Sequence, residues 1–304
     1  MRASDRIRID EELGDALRRQ GLADADLNSF LAYRGGKLVS RRSKRNVRTL
    51  ELKLDGTVRH YFLKQAQGEG WRVFTDLLRL RRNAQVSTSR ERDLVEMFRQ
   101  AGFSVMRVVG WGERRRLGLP VAGMLLVERV DGEEYVARYV RSSLRRRRVM
   151  MRAYGRLIGQ LHQAGIDSKV RPRDLICNGE NLDDPRSALV VIDRERGRCS
   201  REVLSISRRM RQLAEVWIQG GRTFGLPKPS ELLAFMAGYL RDSTMPVRGH
   251  ALFFRDIERE ARAIVRTERR SAKLRPELEA RYGNPNRHGG NELDGTVGND
   301  SGLR

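Results

Sequence analysis

The run His60-Tyr61-Phe62-Leu63-Lys64-Gln65 is apolar enough for a buried strand, yet it carries a lysine near its end. Much later in the chain a second apolar run, Val190-Val191-Ile192-Asp193-Arg194-Glu195, ends in a carboxylate. A lysine on a rigid strand can neutralise phosphate charge, and an aspartate at a strand end can hold Mg2+, a hard dication that prefers oxygen ligands. Phosphoryl transfer needs both parts, because its catalysis is mainly positioning and charge compensation.

Outward from Lys64 the pattern continues as a sheet. The stretches 37–40, 47–54 and 58–65 are rich in Val, Leu, Tyr and Phe, and Asp55-Gly56 supplies turn chemistry between the last two. Residues 87–101 carry Leu94, Val95, Met97 and Phe98 at helical spacing, with Ser87, Thr88 or Ser89 available as N-cap and Gly102 just past the end. Two further strands are expected at 104–112 and 121–130, completing a five-stranded antiparallel sheet with one helix. Before this unit, 10–34 reads as one or two short helices that flank the main fold.

Asp131-Gly132 breaks the strand pattern, and 134–164 changes to helical periodicity with a basic block, Arg145 to Arg148. Helices are expected again at 201–219, 229–242 and 250–270. The fold class that follows is α+β with two lobes, a small antiparallel β lobe and a mostly α second lobe. The chain divides into a helical extension (1–34), a nucleotide-binding lobe (35–131), a catalytic lobe (132–274) and a disordered tail (275–304). The tail is rich in Gly, Pro and Asn and too poor in apolar residues to offset its ordering entropy.

Composition narrows the classes. The 304 residues suffice for substantial cores, and no stretch approaches the roughly 20 apolar residues of a spanning helix. With no apolar signal region after Met1, a cytoplasmic location is the expectation. Cys177 and Cys199 are too few for a disulfide framework and lack zinc-site spacing. Lys and Arg outnumber Asp and Glu by 61 to 39, a net charge of +22 that attracts polyanions. Nucleic acid ranks last among these, since no reader motif is present and only 6% of residues are aromatic.

The local words are similar to those of the lipopolysaccharide core kinases, the Kdo and heptose kinases, which share a protein kinase-like fold. The resemblance rests on Arg90-Glu91, Ala101-Gly102, Leu161-His162-Gln163-Ala164-Gly165, Arg171-Pro172-Arg173-Asp174-Leu175-Ile176, the Ile192-Asp193 stretch and Glu231 to Leu240. It implies that Lys64 contacts ATP phosphates, that Glu91 pairs with Lys64 and orients it, and that the backbone of Glu128-Arg129-Val130 receives adenine. It also makes Asp193 a Mg2+ ligand, and His162 a packing residue before the loop.

Two alignments of that loop compete. In one, Arg173-Asp174-Leu175 is the catalytic triplet and Asp174 is the base, with Asn178 one residue early as metal ligand. In the other, Asp174 occupies a metal-binding asparagine's place and Lys169 falls where the base belongs. Asp167, Asn178 and Asn181 are further polar groups of the same loop. No clear glycine-rich phosphate loop follows Gly35-Gly36, although Arg41, Arg42, Lys44 and Arg45 can cover phosphates electrostatically. The resemblance implies an ATP- and Mg2+-dependent kinase acting on a sugar hydroxyl of a lipid-linked glycan, peripheral to the inner membrane and drawn to anionic lipid by its arginines. The alternative is a pseudokinase that binds nucleotide or an anionic partner without turnover.

Overall fold

The computed structural model describes residues 4–22, 26–42, 44–78, 84–193, 197–200, 202–224, 227–242, 252–253 and 255–267. In chain order, β1 (Ser4–Ile9) is followed by two short helices, α1 (Gly14–Arg19) and α2 (Leu27–Ala32). Next come β2 (Leu38–Arg42), β3 (Arg45–Leu54), β4 (Thr57–Ala66), α3 (Gly70–Leu78), α4 (Ser87–Gln100), β5 (Val108–Arg116) and β6 (Leu119–Glu128). These strands form one antiparallel sheet of six, in the order β1-β5-β6-β4-β3-β2.

Six strands rather than five is a correction. The segment 1–34 is not a purely helical flank: β1 pairs along β5 from Ser4↔Arg115 to Ile9↔Gly110. Its alternation is hidden in the sequence because its outward positions are charged and its inward ones, Ile7 and Ile9, are only half-buried. Leu13, Leu17, Leu22, Leu27 and Phe30 pack with Leu50, Leu52, Tyr61 and Leu63 in one core. Gln65 Nε2 fastens the segment by donating to Phe30 O (2.6 Å) and Tyr33 O (3.0 Å).

The period of two along β4 decides what the opposite sheet face carries. Tyr61, Leu63 and Gln65 point into this first core, so Phe62 and Lys64 face the other way. There α4 packs, its buried Glu91, Leu94, Val95 and Phe98 falling at i, i+3, i+4 and i+7. Contrary to the expectation from the sequence, none of Ser87, Thr88 or Ser89 is the N-cap; Val86 stands there, and Glu69 Oε2 accepts from the Ser87 amide at 2.7 Å. At the other end Gly102 adopts φ +79°, letting its amide donate to Arg99 O and the Phe103 amide to Phe98 O, with the two phenyl rings packed edge to face.

Beyond the crossing at Val130 the chain builds β7 (Glu133–Glu134), α5 (Tyr135–Arg141), α6 (Leu144–Gln163), β8 (Ile166–Asp167), β9 (Leu175–Cys177), α7 (Pro185–Ala188), β10 (Leu189–Val191) and β11 (Arg198–Cys199). Then come α8 (Ile206–Phe224) and α9 (Pro229–Arg241), and residues 255–267 are also helical. Small sheets β10-β9-β7 and β11-β8 shape the loops, and a largely aromatic and aliphatic core joins α5, α6, α8 and α9. The expected tail at 275–304 lies outside the described residues, as do Arg194 to Arg196.

His162, on α6, is fully buried, with Nδ1 3.0 Å from the Tyr239 hydroxyl and Nε2 2.8 Å from Gln212 Oε1. Since Gln212 Oε1 can only accept, Nε2 carries the proton and Nδ1 receives the tyrosine hydroxyl. Burial holds His162 well below its ordinary value, to about 4. The unfolded chain therefore binds a proton near pH 6.5 that the folded chain refuses until about pH 4, and stability is full above that window and falls as pH drops through it. The loss expected is roughly 3 kcal/mol across the window. Urea unfolding from pH 7 to 4 checks it, with His162→Gln giving the shallower slope.

Candidate active site

An apolar pocket of about 410 Å³ lies between the cleft face of the sheet and the second lobe. Val39, Val47, Phe62, Met106, Val127, Ile176 and Ile192 supply its walls. The Glu128 to Val130 segment borders one side, and Lys64, Arg45, Arg42 and Asp193 also line it. An apolar slot with a few convergent polar groups is the usual form of a small-ligand site.

Lys64 Nζ donates to Glu91 Oε1 at 2.5 Å and to Asp193 Oδ1 at 3.1 Å. Glu91 is wholly buried and Lys64 nearly so, whereas the Asp193 side chain is 51% exposed. The three differ accordingly in energetic role. Glu91 is a fixed internal anion that suppresses the rotamers of Lys64, while Asp193 keeps an open side toward the pocket. Asp193 also has φ +56°, in the left-handed region, where a short polar side chain is tolerated but not at ease.

A second cation was not anticipated beside Glu91. Arg45 Nη2 donates to Glu91 Oε2 at 2.7 Å and stands 3.9 Å from Asp193 Oδ1. The expected basic tip 41–46 is shorter than composition suggests, because β2 and β3 pair out to Arg42↔Arg45. Arg45 therefore belongs to the strand and, two residues before Val47, turns to the cleft, whereas Arg41, Arg42 and Lys44 are exposed. That i, i+2 relation to Val47 was the available signal. Arg45→Ala strands a buried carboxylate oxygen and is expected to lower stability by about 2 kcal/mol, with Arg45→Lys in between. The urea midpoint measures both.

Among the backbone groups, the Glu128 amide donates to Arg107 O and the Arg129 amide to His60 O. A ligand can therefore reach Glu128 only through its carbonyl, and the Val130 amide comes next in line.

The loop carboxylates separate. Asp174 is 3% exposed, and both its oxygens are held by Arg171, Nε to Oδ2 at 2.7 Å and Nη2 to Oδ1 at 2.9 Å. It does not line the pocket, but its carbonyl accepts from the Ile192 amide, tying it to the residue before Asp193. The hydrogen bond to Asp174 raises Arg171 above its ordinary value, and the charge of Asp193 adds to that. In the sequence Arg171 only opened the run Arg171 to Ile176, with no role of its own.

Asp167 turns to α8, accepting from Arg208 Nε at 2.6 Å and from Gln212 Nε2. Lys169 is likewise drawn to α8, 2.8 Å from Glu215 Oε1. Asn178 and Asn181 are exposed and border no part of the pocket. Among the described residues no group of three or more His, Cys, Asp or Glu side chains is placed to hold a metal by itself.

Comparison with known proteins bears on the family and the fold. Residues 28–214 match the model of the Lipopolysaccharide kinase (Kdo/WaaP) family, a span that contains Lys64, Glu91, Asp174 and Asp193. A solved structure of WaaP in complex with acyl carrier protein is similar over 85% of this chain and 98% of that chain, at 20% identity and a TM-score of 0.58. The Rio2 kinase-ADP/Mg2+-phosphoaspartate complex from Chaetomium thermophilum covers 87% of this chain and 78% of its own, at 13% identity and a TM-score of 0.43. No curated protein sequence matches. The architecture is thus the bilobal protein kinase-like fold that WaaP adopts.

Proposed function

The chain belongs to the lipopolysaccharide kinase (Kdo/WaaP) family, and from that membership we propose that it transfers the γ-phosphate of ATP to a sugar hydroxyl of a lipopolysaccharide core or similar lipid-linked glycan. The observation that carries this reading is Lys64, clamped by buried Glu91 and 3.1 Å from half-exposed Asp193 beside an apolar slot. Residues 35–131 are the nucleotide-binding lobe and 132–274 the catalytic lobe. The apolar walls take the adenine against Glu128 and Val130, while Lys64 and Arg45 face the phosphates.

The donor set fits a hard dication shared with a nucleotide. Mg2+ is commonly held by one or two carboxylates plus substrate phosphates, so a closed protein cage is not required. Asp193, exposed on the pocket side, would hold it, and Asp174 supports that position through the Ile192 amide and can serve as a second oxygen ligand once Arg171 yields. The ion would neutralise charge developing on the transferred group. Lys64, aimed by Glu91, orients the phosphates, and Arg45 fixes Glu91 through its other carboxylate oxygen.

Of the two loop alignments, the local structure supports the second: the turn Pro172–Asp174 runs straight into β9, as a Pro-x-Asn-Ile-Leu loop does. Asp174 then binds metal, and Lys169 stands at the base's place. A charged lysine cannot take the hydroxyl proton, but in a largely dissociative transfer the base matters less than alignment and charge neutralisation.

The pairing of Lys169 with Glu215 and the Arg171 clamp on Asp174 favour one second reading, a pseudokinase that binds nucleotide without turnover. Incubation with γ-labelled ATP, Mg2+ and lipopolysaccharide core precursors separates the two. Label in the glycan is the expected result; firm nucleotide binding with no label in any acceptor supports the pseudokinase.

A further inference from the structure

Helix α3 wears its apolar residues on the outside. Trp71, Phe74 and Leu78 fall at i, i+3 and i+7, one stripe of a helix, and are 72%, 36% and 65% exposed. The face that packs on the sheet carries Val73 and Asp76. The Trp71 and Phe74 rings lie 5.7 Å apart, so the stripe is one continuous surface. This reverses the usual order for a helix on a soluble domain, where apolar residues face the core.

The sheet register fixes where the stripe sits. Ala66, the last residue of β4, pairs with Arg45 on one side and Gly123 on the other, and Gly123 pairs with Glu113 of β5. The β2–β3 tip, the β5–β6 tip and the start of α3 therefore share one end of the sheet, which is also the end where Lys64 and Arg45 enter the pocket. Gly70 packs on Val121, and the Glu69 amide donates to Val121 O, seating α3 beside the β5–β6 tip. That tip presents Leu117, 70% exposed.

Charge at this end is one-sided. Arg41, Arg42, Lys44 and Arg116 are exposed, while the acids among the described residues of 38–47, 67–78 and 112–121, namely Glu69, Asp76 and Glu113, are all buried.

We propose that this end of the β lobe docks on an anionic lipid bilayer, with Trp71, Phe74, Leu78 and Leu117 inserted at the headgroup level and the surrounding arginines and lysines on lipid phosphates. An amphipathic helix with Trp, Phe and Leu on one side and cations around it is the form that lies in a membrane interface. A second copy of this chain is disfavoured as occupant because it would bring two cationic rims together. The inference deepens the functional reading and rests on it: docking there sets the phosphate end of the pocket against the bilayer that carries a lipid-linked acceptor.

Sedimentation of the full chain with vesicles of equal parts phosphatidylglycerol and phosphatidylethanolamine tests the proposal. Wild type is expected to pellet, and the Phe74→Ser/Leu78→Ser double variant to lose roughly tenfold or more in partitioning. In a Trp111→Phe/Trp217→Phe background, brominated lipid should quench Trp71. Equal pelleting of wild type and double variant, or an unquenched Trp71, overturns the proposal. So does a wild-type dimer that the double substitution dissociates, or retention by an acidic protein with no vesicle binding. Nucleotide binding without vesicles should be unchanged in the double variant. A wild type that fails to pellet while label still enters a detergent-dispersed acceptor sinks this inference alone, whereas wild-type docking with no label in any acceptor sinks the functional reading.

Discussion

Asp193→Asn is expected to fold as well as wild type and to transfer phosphate at least ~10³-fold more slowly. The prediction follows from exposure. The Asp193 carboxylate is half in solvent, so its loss costs little stability, and asparagine tolerates the same left-handed backbone at φ +56°. Glu91→Gln makes the contrast, because two buried cations then lose their shared anion. We expect about 3–5 kcal/mol of lost stability together with lost transfer. Unfolding by urea and label incorporation, measured on both variants, separate the two roles; an Asp193→Asn protein with normal turnover removes Asp193 from the mechanism.

Gly155→Val is expected to be the most destabilising single change in the second lobe. Helices α6 and α9 cross through glycine, and a Cβ at Gly155 would stand 2.0 Å from Phe235 O, with a reciprocal 2.0 Å approach of a Cβ at Gly238 to Arg152 O. Neither neighbour is a flexible side-chain end, since both are helix backbone, so the helices must separate and open the core around Tyr154, Met236 and Tyr239. Overpacking with backbone displacement costs several kcal/mol, and ~4 kcal/mol or failure to fold is the expectation. A valine variant within 1 kcal/mol of wild type by urea titration, ~5-fold in the unfolding equilibrium, would show that the crossing is not set by these glycines.

Which parts could be read from the sequence follows from where the side chains point. Lys64 stood out because it interrupts the apolar run Tyr61 to Leu63, and Glu91 through the Arg90-Glu91 pair on which the resemblance rests, early in α4. Asp55-Gly56 announced its hairpin, both residues having positive φ. Strand β1 was lost among its charges, and α3 among the rules themselves, since its apolar residues serve the surface and not the core. Arg45 was hidden by company: in a run of cations nothing but register separates the one that turns inward. The loop at Asp174 stayed ambiguous because its spacing satisfies two patterns in part.

Titration calorimetry of Mg2+-nucleotide into wild type and Lys64→Ala most directly tests whether this cleft is the nucleotide site, and it needs no knowledge of the acceptor. Wild type should bind more tightly with Mg2+ than without it, and Lys64→Ala should lose about tenfold or more in affinity. Equal affinity in the two proteins, with no dependence on Mg2+, would contradict the assignment of Lys64 and Asp193 to a shared nucleotide.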